Sequence, residues 1–153
     1  MTTDKIQSFP SRIVLELTPD CNLSCPMCPR QHIKLEESYM TWEMYKKLLD
    51  EIQEENSQAV VLPFWRGESC MHPEFLEMLD YALSQDFRIH LSTNGHFMSR
   101  EHMEVFYRCE FVTFSLHTDK GFQNACRLVE NRRHWGQTKN YGLLFSFRLP
   151  LFP

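Results

Sequence analysis

The chain has 153 residues, 42% hydrophobic and 24% charged, which suits one folded domain and excludes a disordered or repetitive polypeptide. A formal net charge of −4 and a pI near 6.0 argue against a nucleic-acid partner held by blanketing phosphates. MTTDKIQSFPS has no signal-peptide core and no apolar run approaches about 18 residues, so a cytoplasmic protein with reduced thiols and no membrane partner is expected.

Residues 1–11 read as a lead-in and 12–153 as the core domain. RIVLEL (12–17) is a strand that runs directly into the cysteine-rich stretch CNLSCPMCPR (21–30). In TWEMYKKLLDEIQEE, Thr41 is a candidate N-cap, and Trp42, Tyr45, Leu48, Leu49 and Ile52 share one helical face. AVVLPF (59–64) is a second, buried strand. HPEFLEMLDYALSQ follows as a helix with Pro73 near its first turn, where a missing N–H costs nothing, and with Phe75, Leu76, Leu79 and Leu83 inward. RIHLS (88–92) is a third strand closed by TNG, and Ser99 caps a helix that runs to about residue 108. FVTFSLH (111–117) is a fourth strand. A weaker helix over 122–133 and a fifth strand, YGLLFSFR (141–148), end the series.

Strands alternating with helices of 10 to 15 residues predict parallel βαβ units. Within the strands, apolar and polar residues alternate: Val112, Phe114 and Leu116 oppose Thr113, Ser115 and His117, and Leu143, Phe145 and Phe147 oppose Leu144, Ser146 and Arg148. A sheet covered on both faces carries near-continuous apolar strands instead. The pattern predicts an open, curved sheet with helices on one face and a polar concavity on the other; paired polar residues within a core are the alternative. Glu16, His90, Ser92, Ser115, Ser146 and Arg148 are candidate linings.

Cys21, Cys25 and Cys28 are spaced C-x3-C-x2-C. Three thiolates in one short loop hold three corners of a [4Fe-4S] cluster and leave the fourth iron open to a small molecule. Structural zinc is the competing reading, because His32 completes a Cys3His set. The position after the first strand favours the cluster, since α/β folds place active sites at the carboxyl ends of their strands. Of the scattered cysteines, Cys109 and Cys126 read as packing residues, as does Cys70, whose place two residues after Glu68 also makes it a candidate accessory thiol.

LELTPDCNLSCPMCPR resembles the first strand and cysteine loop of the radical S-adenosylmethionine (SAM) enzymes, with Met27 in a place more often aromatic. FWRGESCMHPEF is similar to that family's GGEP segment, matched at Gly67 and Glu68 and departed from at Arg66 and Ser69. LSTNG (91–95) and the Ser115, His117 pair resemble its third and fourth strand ends. The likeness runs in register from about residue 12 to about 117.

The resemblance implies a partial or truncated (βα)6 barrel, incomplete because the chain stops after the fifth strand of six. It implies a [4Fe-4S] cluster on Cys21, Cys25 and Cys28, and SAM held by Met27, Gly67, Glu68, Asn94, Ser115 and His117, with Glu68 taking the amino group. Arg148 is a further candidate for a carboxylate or phosphate on SAM or substrate. The implied reaction is reductive cleavage of SAM to a 5'-deoxyadenosyl radical that abstracts hydrogen from a peptide or small molecule. A flavodoxin or ferredoxin would supply the electron. The cysteine loop is most like the SPASM-type branch. A glycyl-radical enzyme activase and a degenerate zinc-binding domain are the alternatives.

Overall fold

The computed structural model describes residues 9–34, 36, 38–131 and the backbone of 142–146. Most of the lead-in, Arg148 and the side chains of the fifth strand lie outside the described residues. Five parallel strands form one sheet in the order β1-β2-β3-β4-β5, namely β1 Arg12–Val14, β2 Val60–Leu62, β3 Arg88–Thr93, β4 Phe111–Ser115 and β5 Gly142–Ser146. Between them run α1 Trp42–Asn56, α2 Phe75–Ser84, α3 Arg100–Phe106 and α4 Asp119–Asn131. Strand order equals chain order, with no reversal of the kind that defines a doubly wound sheet. The order is that of an opened barrel, as the alternation predicts.

Register fixes the faces. Leu91 aligns with Val112 and Ile13 with Val61, so the apolar side chains stack in rows across neighbouring strands. One core gathers Leu15, Leu17, Val61, Ile89, Leu91, Val112 and Phe114 with residues from all four helices. The opposite face carries Glu16, His90, Ser92, Thr113 and Ser115, all half-buried. The helices therefore cover one side of the sheet and leave the polar side accessible.

Local chemistry sets the helix ends. Thr41 accepts the Met44 N–H at 3.2 Å and Ser99 accepts the His102 N–H at 3.3 Å, so both expected caps form. α2 starts later than expected: Pro73 precedes the helix, and a 3-10 turn over Ser69–Met71 intervenes. Its inward arc is Phe75, Met78, Leu79 and Ala82, with Leu76 and Leu83 only partly buried beside it. α4 begins three residues before the expected 122 because Thr118 Oγ1 accepts the Gly121 N–H at 3.1 Å, a capping geometry that the apolar pattern alone hides. Among the described residues, no helix is long and apolar enough to cross a membrane.

Tyr45 is fully buried in the core, its hydroxyl has no hydrogen-bond partner, and burial pushes its ionisation well above the usual range. An orphan hydroxyl loses its water without replacement. Tyr45→Phe is expected to raise stability by about 1 kcal/mol, read as a higher urea midpoint at unchanged m-value; a lower midpoint would show that the hydroxyl is satisfied.

Candidate functional site

Four strands deliver their loops to one edge of the sheet, and hydrogen bonds tie those loops together. The cysteine loop follows β1. Its thiols Cys21, Cys25 and Cys28 are free and half-buried. The Cys28 N–H donates to Cys25 O at 2.9 Å and the Gln31 N–H to Cys28 O at 3.1 Å, which curls the loop into a 3-10 turn over Pro29–His32. Burial chiefly pushes the Cys21 thiol up, and the neighbouring Glu68 and Cys25 add to the effect. Burial and the adjacent Cys28 do the same to Cys25. The three thiols thus lie within electrostatic reach of one another.

The donor set suits a cluster. A single zinc needs four donors about 2.3 Å from one point; among the described residues no group of three or more His, Cys, Asp or Glu converges in that way, and His32 is exposed. A cube spreads its irons over separate corners, so its three thiolates need no common point. Coordination to iron also removes the thiol protons that burial retains.

Behind the loop, the β2 end is packed without a gap. A Cβ on Gly67 would overlap the carbonyl oxygens of Thr18 and Asp20 and lie 2.6 Å from the Pro19 carbonyl carbon, so only glycine admits this approach. Next to it the Glu68 N–H donates to Asp20 O at 2.6 Å. The Glu68 side chain is 3% exposed. Its Oε1 accepts from Thr93 Oγ1 at 2.8 Å and from the Cys70 N–H at 3.3 Å; its Oε2 accepts from the Asn94 N–H at 2.6 Å. The resemblance assigns this carboxylate to the SAM amino group; in this structure its oxygens accept three donors from the surrounding wall. Three internal donors already compensate its burial.

At the β3 end, Asn94 is buried and its side chain faces the cysteine loop, donating to Asn22 Oδ1 at 2.8 Å and toward Cys21 Sγ at 3.9 Å. Gly95 takes φ 75°, the left-handed turn that the TNG segment predicts. Beyond β4, Ser115 is half-buried and His117 exposed, so His117 is not a packed core histidine. Met27 is 42% exposed beside the thiols.

Several members of the site escaped the sequence reading. Asn22, Thr93, His96 and Thr118 belong to the same hydrogen-bonded frame; Asn22 and Thr93 lie within segments singled out for other residues, and His96 and Thr118 adjoin such segments. Arg66 donates to Glu16 through its backbone N–H at 2.8 Å and through its guanidinium at 2.5 Å. Burial pushes Glu16 up, but these bonds with the Arg66 and Arg30 charges outweigh it and hold the carboxyl below its usual range. Arg66, a departure from the expected pattern, thus caps the polar face at the edge strand. A cavity of about 370 Å³ adjoins this pair, walled by Leu17, Tyr39, Met40 and Met44. Cys70 is buried, and burial first and Glu68 second push its thiol well up; it is a packing residue rather than an accessory nucleophile.

Known proteins resemble this chain in sequence and in fold. The chain is 30% identical over 118 residues to the tungsten-containing aldehyde ferredoxin oxidoreductase cofactor-modifying protein of Pyrococcus furiosus, covering 76% of this chain and 33% of that one. Its fold superposes on BtrN, solved in complex with AdoMet and 2-DOIA, with TM-score 0.73 at 16% identity, over 90% of this chain and 56% of BtrN. It also superposes on Streptococcus suis SuiB bound to precursor peptide SuiA, with TM-score 0.67 at 16% identity, over 80% of this chain and 31% of SuiB. The chain spans about a third of the length of the Pyrococcus relative. Residues 15–140 match the model of the Radical SAM superfamily, and with the cysteine loop, strand order and strand-end frame in place, the chain belongs to that superfamily.

Proposed function

We propose that this chain is the radical-generating core of an enzyme acting on a peptide or small-molecule substrate, with Cys21, Cys25 and Cys28 as the protein ligands of a [4Fe-4S] cluster. The observation that carries the reading is the placement of three free, adjacent thiols at the carboxyl edge of a barrel-order sheet. When bound, the reduced cluster supplies one electron that cleaves the sulfonium C–S bond of SAM, and the resulting 5'-deoxyadenosyl radical takes a hydrogen atom from the substrate.

The protein's part is to hold and enclose. Gly67 and Glu68 fix the base of the cysteine loop, and Ser115 and His117 stand at the β4 end as candidates for the SAM ribose. The half-buried polar face offers Glu16, His90 and Ser92 as lining for a substrate that must meet the radical before water does. Both substrate classes find support among relatives: one modifies a cofactor by its name, and another is bound to a precursor peptide. A flavodoxin or ferredoxin is the proposed electron source.

Anaerobic reconstitution is expected to give about four iron and four sulfide per chain, an EPR signal of the reduced cluster that changes when SAM is added, and 5'-deoxyadenosine on turnover. Cys21→Ala, Cys25→Ala and Cys28→Ala should each lose the signal. Bound zinc, or a cluster blind to SAM, would overturn the reading.

The wall has its own test. Glu68→Gln presents an NH2 group to one of three donors and is expected to cost about 1–3 kcal/mol, while Gly67→Ala drives the cysteine loop off its seat and should reduce iron content as well as stability. Urea unfolding of the apo chain and iron analysis after reconstitution check the pair; wild-type values for both variants would show that the junction positions nothing.

A further inference from the structure

We propose that Asn94 is a positioning residue for the metal site, donating a side-chain N–H to the sulfur of Cys21 and thereby raising the cluster's reduction potential, with Asn22 and His96 locking the amide in that orientation. The inference rests on the cluster reading above and concerns residues to which neither the family match nor the relatives assign this role.

The amide can face only one way. Asn94 Oδ1 accepts the His96 backbone N–H at 2.9 Å, and Nδ2 points to Asn22 Oδ1 at 2.8 Å and Cys21 Sγ at 3.9 Å. Turned over, the carbonyl would meet another carbonyl and the NH2 would meet an N–H. Asn22 is locked by the same logic. Its Oδ1 faces the Asn94 amide, so its Nδ2 faces His96 Nδ1 at 3.1 Å, which must be a lone pair. His96 therefore carries its proton on Nε2 and donates it to Thr118 Oγ1 at 2.6 Å.

Both ends of this chain of bonds are anchored in rigid structure. At one end the Asn94 backbone N–H is held by Glu68; at the other Thr118 caps α4 through the Gly121 N–H. The Asn94 amide is held by the His96 backbone N–H on its Oδ1 and by Asn22 Oδ1 on its Nδ2. Among the described residues, Cys21 is the one loop thiol that receives a side-chain N–H, and the Leu23 backbone also bonds to it.

A donor on a ligating sulfur withdraws negative charge from the cluster and favours the reduced form, in which charge accumulates. For a cluster that must be reduced before it can act, such a bond eases the uptake of the electron. Asn22, His96 and Thr118 act through Asn94.

The test uses the reconstituted full chain, wild type and variants, with the cluster potential read by EPR-monitored redox titration. Wild-type protein labelled with 15N in asparagine side chains should show a weak nitrogen coupling to the reduced cluster by pulsed EPR, absent in Asn94→Ala. Asn94→Ala should lower the potential, and Asn94→Asp, which replaces the donor by a negative charge, should lower it further. His96→Ala removes the side chain that orients Asn22 while keeping the backbone N–H on Asn94 Oδ1, and should give a smaller shift in the same direction. Asn131→Ala, at the far end of α4, should match wild type.

If Asn94→Ala fails to retain iron, the wild-type coupling and the His96→Ala titration still decide. Full iron and sulfide with no side-chain coupling and unchanged potentials would overturn this proposal alone. Wild-type protein that assembles no cluster would overturn the cluster reading, and this proposal with it.

Discussion

Glu68 is the constraint on which the rest of the site depends. A carboxylate 3% exposed is costly to bury unless its oxygens are satisfied, and here they accept three donors while the same residue's N–H bonds to Asp20. Those partners come from different places: the β2 turn itself, the β3 end and the base of the cysteine loop. One buried group thus converts three loops into a single rigid edge. Gly67 makes this reach feasible, because any side chain there would push the Thr18–Asp20 backbone away. A loop held only by its own turns would leave its thiols to wander, whereas ligand placement within fractions of an ångström needs a supporting frame of this kind.

The two edges of the sheet are built for different ends. At the amino ends of the strands, Arg88 pairs with Glu110 through two 2.7 Å contacts, and Arg12 contacts His90 at 3.3 Å. Burial chiefly holds His90 below its usual range, with the Arg12 and Arg88 charges adding to the effect and Glu110 opposing it. These are exposed or half-exposed charges that stitch β1, β3 and the start of β4, and such pairs contribute little each. At the carboxyl ends Glu68, Thr93 and Asn94 are buried, an amide and a hydroxyl around one carboxylate. Stability and chemistry are divided between the edges, as in barrels generally.

The fold was legible because alternation survives in single strands. Ile89 and Leu91 against His90 and Ser92 already imply a one-sided sheet, and four capped or amphipathic helices imply the crossovers. The cysteine spacing was equally legible, since few chemistries need three thiols in eight positions. What sequence concealed was who touches whom. Glu68 and Asn94 were marked as site residues, but their partners come from stretches far apart in the chain, and only the folded register turns their side chains inward. His96 and Asn22 gave no signal beyond adjacency, because a polar residue beside a turn is ordinary. The start of α4 was missed for the opposite reason: a local signal existed in Thr118, but the apolar period that fixes helix boundaries begins later.

The remaining cysteines bear on why the loop holds three thiols and not four. Cys70 and Cys109 lie in the core with the helices, and burial pushes Cys109 up to about 12 and Cys70 well above its ordinary value. A thiol that resists ionisation is a poor competitor for iron, because the ligand is the thiolate. The three loop thiols are close in sequence, so gathering them costs little chain entropy, and each is half-buried rather than sealed. Burial thus sets Cys70 and Cys109 apart as packing groups, while Cys126, half-buried like the loop thiols, is set apart from them by its place on α4. A cluster held by Cys21, Cys25 and Cys28 would have one iron without a protein ligand, open to a small molecule.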